Sequence, residues 1–77
     1  MKATLEEVKN IFKQEVDTRI DVTNMDPSLN IGDLGIDSLD RSSIFLALDD
    51  AYGVSFTDDD IQELDTLNKI IDFINKA

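Results

Sequence analysis

Near the end of the chain, Leu67, Ile70, Ile71 and Ile74 fall at positions i, i+3, i+4 and i+7, the spacing that lines one face of an α-helix. Such a stripe is stable in water only when it is buried against another element. The 77-residue chain has neither cysteine nor histidine, so neither a disulfide nor a Cys/His zinc site can staple it. Hydrophobic residues make up 42%, too many for a disordered acidic tail, and they recur in spaced groups. Packed helices forming a single domain over residues 1–77 are the economical solution.

The other elements follow from caps and periodicity. Thr4 with Glu7 fits a capping box, and Leu5, Val8, Ile11, Phe12 and Val16 repeat at helical spacing behind it. This helix is expected to end between Glu15 and Ile20. Residues 21–37 read as a connection, broken by Asn24, Asp26, Pro27, Ser28, Asn30, Gly32 and Gly35. Val22, Met25, Leu29, Ile31, Leu34 and Ile36 punctuate it, so it should lie across the core. It exceeds the usual loop length, which favours a functional reason for it. A second helix is predicted from Ser38 to Tyr52, capped by Asp37 and stopped by Gly53, with Ile44, Phe45, Leu48 and Tyr52 inward. Leu39 and Leu46 form a different stripe, with Ser42 and Ser43 between them. Thr57 caps a short helix that turns Ile61 and Leu64 inward, and the last helix begins after Asp65 or Thr66. The predicted fold is all-α: a small four-helix bundle, three main helices plus one short, with a long first loop.

The charge excludes several functions. Seventeen acidic residues against seven basic ones give a net charge of −10, which repels nucleic acid and anionic membranes and attracts basic protein surfaces. Asp58, Asp59 and Asp60 are consecutive, so on a helix they point about 100° apart and do not converge on a metal. With no histidine base and no glycine-rich phosphate loop, no catalytic constellation emerges. No apolar run is long enough for a membrane span, and the N-terminal segment lacks a signal-like core. A cytoplasmic monomer is the expectation.

Ser38 stands apart. It falls at the first position of the second helix, where its hydroxyl is exposed at the positive end of the dipole. A phosphodiester attached there is favoured by free N–H groups, while Asp37 and Asp40 oppose a freely bound phosphate. Lacking a base, the serine would be modified by a second protein. An ordinary first-turn serine is the competing reading of these residues.

Gly35-Ile36-Asp37-Ser38-Leu39 resembles the Gly-x-Asp-Ser-Leu motif of the acyl carrier protein family. The likeness extends to the run Ile44–Leu48, the acid pair Asp49-Asp50, the turn at Tyr52-Gly53 and the helix at 66–74. The resemblance implies a carrier rather than an enzyme. It makes Ser38 the attachment point of 4'-phosphopantetheine from coenzyme A, flanked by Asp37 and Leu39, with acyl groups held as thioesters on the arm. It also implies a phosphopantetheinyl transferase and acyl-handling enzymes with basic patches as partners. Their docking face would comprise Asp40, Arg41, Ser42, Ser43, Leu46, Asp49 and Asp50. Fatty-acid, polyketide or specialised lipid synthesis is the implied setting. Housekeeping members of the family carry an aliphatic residue and a glutamate where Ser42 and Ser43 stand, which leaves a specialised carrier open beside general fatty-acid synthesis. A peptidyl or D-alanyl carrier and a non-carrier acidic adaptor are the alternatives.

Overall fold

The computed structural model describes residues 2–77, and all regular structure among them is helical. The elements are α1 (Leu5–Glu15), a 3₁₀ turn (Ile31–Leu34), α2 (Ser38–Tyr52), α3 (Asp58–Glu63) and α4 (Leu67–Lys76). The bundle has three main helices and one short one, with α1 packed on α2 and α4, and α3 leaning on α2.

Local chemistry sets each boundary. The Thr4 hydroxyl accepts the Glu7 N–H at 3.2 Å, and the Glu7 carboxylate accepts the Thr4 N–H at 3.2 Å, closing the box that starts α1. Thr57 and Asp60 repeat the device at α3, and Thr66 caps α4 by accepting the Lys69 N–H. Asp37 caps α2, but the Asp40 carboxylate does not return the bond, so that box is half-made. Gly53 ends α2 at φ 66°, a left-handed conformation that side chains resist even though a Cβ there would meet only open space.

The core is the meeting of the predicted stripes. Val8 and Phe12 from α1, Ile44, Phe45 and Leu48 from α2, and Leu67, Ile70 and Ile74 from α4 are buried. Each contributes about 1.5–3 kcal/mol by leaving water. No polar or charged residue is buried with them among the described residues. Two positions depart from the expected pattern. Leu5 remains 37% exposed because the first turn of α1 overhangs the core edge, and Leu29 is 44% exposed at the outer bend of the long connection.

That connection is ordered by its own polar residues. Asp21 accepts the Asn24 N–H, Asp26 the Ser28 N–H and Asn30 the Gly32 N–H, each folding the chain locally. Val22, Met25, Ile31 and Ile36 are thereby turned into the core. The 3₁₀ turn within this stretch is not foreseen from sequence, because its four residues carry no helical stripe. Long-range bonds pin it: the Ile31 N–H donates to the Asp65 carbonyl at 2.8 Å, and the Asn68 N–H to the Pro27 carbonyl at 3.0 Å. At the far end, the Asn75 amide clasps Ala3 through both main-chain groups, joining the two ends of the described chain.

Phe56 bridges the bundle, meeting Phe45 edge-on at 5.0 Å and stacking on Phe73 at 5.3 Å. Among the described residues no helix is long and apolar enough to cross a membrane.

Leu48→Ala is expected to cost about 3 kcal/mol, read as a lowered urea midpoint, because the cavity it leaves lies between tightly packed helices. Asp17 provides a pH test. Its carboxylate accepts the Arg19 guanidinium and N–H, and these bonds lower its pKa from 3.8 to about 2. The folded turn therefore gains from this contact above the unfolded pKa, and loses it as pH falls through the folded value. A carboxyl ¹³C titration should place its midpoint well below 3.8, and Arg19→Ala should move it back up.

Candidate functional site

The site is built where the long connection meets α2. Gly35 ends the 3₁₀ turn at φ 85°, its N–H donating to the Gly32 carbonyl at 3.3 Å. A Cβ there would touch nothing, so the backbone conformation alone explains the glycine. Ile36 then plugs into the core, 3% exposed, and fixes where the chain enters the helix. Asp37 stays extended and its carboxylate accepts the Asp40 N–H at 2.8 Å, while its carbonyl accepts the Arg41 N–H at 2.9 Å. Ser38 is consequently the first residue of a 15-residue helix.

Ser38 is exposed, and its hydroxyl has no hydrogen-bond partner among the described residues. It lies over about 22 Å of aligned peptide dipoles. Leu39 beside it is 78% exposed. The arrangement fits a covalently held phosphate: the oxygen is reachable, and the first-turn N–H groups face the same end.

One side of α2 carries most of the expected docking residues. Leu39, Ser42, Ser43 and Leu46 follow one another at helical spacing, and all are exposed, Leu46 at 72%. Asp50 is exposed and Asp40 and Asp49 are half-buried, so the apolar positions are rimmed by acids. Arg41 behaves differently. It is half-buried, and its guanidinium donates to the main-chain carbonyls of Ile61 and Gln62 across the seam to α3.

Tertiary packing adds neighbours that sequence spacing does not reveal. Ser38, Arg41 and Ser42 share a shallow groove with Asp58, Ile61 and Gln62 of α3. This groove runs on through Ser42 and Ile61 to an apolar stretch formed by Phe45, Leu46 and Phe56. On the opposite flank, Glu15 at the end of α1 faces Ser43, Leu46 and Asp50 across an open hollow. No sequence signal announces Glu15, since it reaches α2 only through the α1–α2 packing. Asp65, between α3 and α4, is bonded by the Lys69 ammonium at 3.0 Å, and this contact chiefly lowers its pKa. Asp58, Asp59 and Asp60 occupy the first turn of α3, where Asp60 is spent on the Thr57 N–H. Among the described residues no group of three metal-ligating side chains converges.

Comparison with known proteins agrees with this geometry. A family model described as a phosphopantetheine attachment site matches residues 6–74. The chain is 34% identical to an acyl carrier protein of Buchnera aphidicola subsp. Acyrthosiphon pisum (strain APS), over 99% of this chain and 94% of that one. An acyl carrier protein of Coprothermobacter proteolyticus is 32% identical, over 90% of this chain and 83% of its own length. One from Solidesulfovibrio magneticus is also 32% identical, over 92% and 90% respectively. The match runs through the exposed serine, its cap and all four helices, and the chain therefore belongs to the phosphopantetheine-attachment family, carrier proteins whose prosthetic group is a covalently bound 4'-phosphopantetheine.

Proposed function

We propose that Ser38 bears the prosthetic group and that the cargo is an acyl chain, presented to acyl-handling enzymes that dock on α2. The observation that carries this reading is the free Ser38 hydroxyl, exposed at the first position of α2 within Gly35-Ile36-Asp37-Ser38-Leu39. The group supplies what the chain lacks, a thiol on a flexible arm where an acyl group is held as a thioester. The names of the relatives above support acyl cargo over an aminoacyl or peptidyl one. The non-carrier adaptor reading gains nothing from the family match.

The chain's own residues prepare the site without performing chemistry. Forming the Ser38 Oγ–phosphorus bond would break the pyrophosphate linkage of coenzyme A, with adenosine 3',5'-bisphosphate leaving, and would require a base to take the hydroxyl proton; the chain has no histidine. The Asp37 carboxylate is already held by the Asp40 N–H. Both the base and coenzyme A therefore come with a separate phosphopantetheinyl transferase, and the carrier is not itself an enzyme. Asp37 keeps the hydroxyl at the helix tip, and Leu39 offers apolar surface beside it.

Docking divides between charge and contact. Asp40, Asp49 and Asp50 steer basic patches of partners, raising encounter rates more than final affinity. Leu39 and Leu46 supply the apolar centre, with Ser42 and Ser43 as a slim polar strip that admits close approach. A net charge of −10 opposes self-association, which favours a monomer.

With coenzyme A and a broad-specificity transferase, the intact mass should rise by one phosphopantetheinyl group, and Ser38→Ala should abolish the gain. An unmodified parent chain, beside a modified control carrier, would overturn the reading. Replacing Asp49 and Asp50 by lysine should slow association with the transferase by roughly tenfold at low ionic strength and far less at high salt. Equal low-salt rates for variant and parent would remove those acids from the docking face.

A further inference from the structure

Arg41 lies three residues beyond Ser38, and residues at that spacing share a helix face. Both line the groove between α2 and α3. The arginine is not extended toward a partner. Its Nη2 donates to the carbonyl of Ile61 and, at 3.4 Å, to that of Gln62. These carbonyls belong to the last turn of α3, where the helix has run out of N–H donors and a cation meets the negative end of its dipole.

Helix α3 needs an external hold. It is six residues long and contains no buried residue, and a helix that short does not persist alone. Ile61 and Leu64 are only half-buried, and the nearest aromatic anchor, Phe56 against Phe45, precedes the helix. The Nε of Arg41 is buried with no partner among the described residues, a desolvation cost that an arginine pointing into solvent would avoid.

We propose that Arg41 is a positioning residue, a clamp from α2 onto the terminal carbonyls of α3. It holds α3 beside Ser38, so that a modifying partner meets one face assembled from both helices. Arg41 thus acts inside the carrier rather than on the partner. This rests on the reading of Ser38 given above.

Arg41→Met keeps the stem of the side chain and removes its donors. In the unmodified variant, amide exchange at Ile61 and Leu64, which bond the Thr57 and Asp60 carbonyls at 3.0 and 2.8 Å, should accelerate by roughly tenfold. Amides of Val8 in α1 and Ile70 in α4 should exchange as in the parent. The transferase's KM for the variant should rise about threefold to tenfold with kcat unchanged, an effect relayed through the neighbouring helix. Arg41→Lys, which keeps the charge but not the planar fork, should recover part of both.

Unchanged exchange at Ile61 and Leu64 would overturn the clamp. A raised KM with unchanged exchange would overturn it too, since Arg41 would then touch the partner directly. Faster exchange in all helices alike would make Arg41 a general stabiliser and refute the local role. The exchange measurement needs no prosthetic group, so failure of Ser38 to be modified would sink the functional reading while leaving the clamp to be judged separately.

Discussion

The bond from the Asp40 N–H to the Asp37 carboxylate, 2.8 Å long, decides which residue begins α2. A cap of this kind contributes only about 1 kcal/mol, yet its positional effect is larger than its energy. Were the helix to start one residue earlier, Ser38 would become its second residue and lie about 1.5 Å further from the tip. Two neighbours enforce the start. Ile36 is locked into the core, and Gly35 supplies the left-handed turn that brings the chain out of the 3₁₀ segment. The exposed hydroxyl and the first-turn N–H groups around it take their place from this junction.

The long connection is a structural member rather than slack chain. Asp65 serves as its anchor: its carbonyl accepts the Ile31 N–H while its carboxylate is shared between the Asn30 amide and the Lys69 ammonium. The 3₁₀ turn is thereby tied to the α3–α4 junction. The same junction lies just past the carbonyls that Arg41 grips. The surroundings of Ser38 are therefore held from two sides, by the connection and by α3, although neither contains a long helix.

Helix α2 is apolar on two faces. Ile44, Phe45, Leu48 and Tyr52 fill the core, while Leu39 and Leu46 stand in water among acids. A small apolar patch of this kind is tolerated on a protein surface, and its acidic rim opposes nonspecific association. The patch and the exposed Ser38 lie on one helix and so keep a fixed relation to each other.

Much of this was legible in the sequence because helical architecture is locally encoded. The capping residues Thr4, Asp37 and Thr57 and the stop at Gly53 act within one turn of chain, and the stripes in α1, α2 and α4 repeat with the helix period. Ser38 and its flanking pattern are likewise contiguous, so the likeness to a carrier motif could be read without a fold. The 3₁₀ turn, the exposure of Leu29, the approach of Glu15 to α2 and the inward reach of Arg41 were not legible. Each depends on partners distant in sequence: Asp65 for the turn, the core edge for Leu29, helix packing for Glu15, and the α3 carbonyls for Arg41. The sequence by itself determined where helices start and which faces are greasy, since those are short-range consequences of side-chain spacing and capping. Only tertiary structure decided how a six-residue helix is held beside the serine, because a backbone carbonyl has no sequence signature and becomes a partner only when the fold brings it within reach.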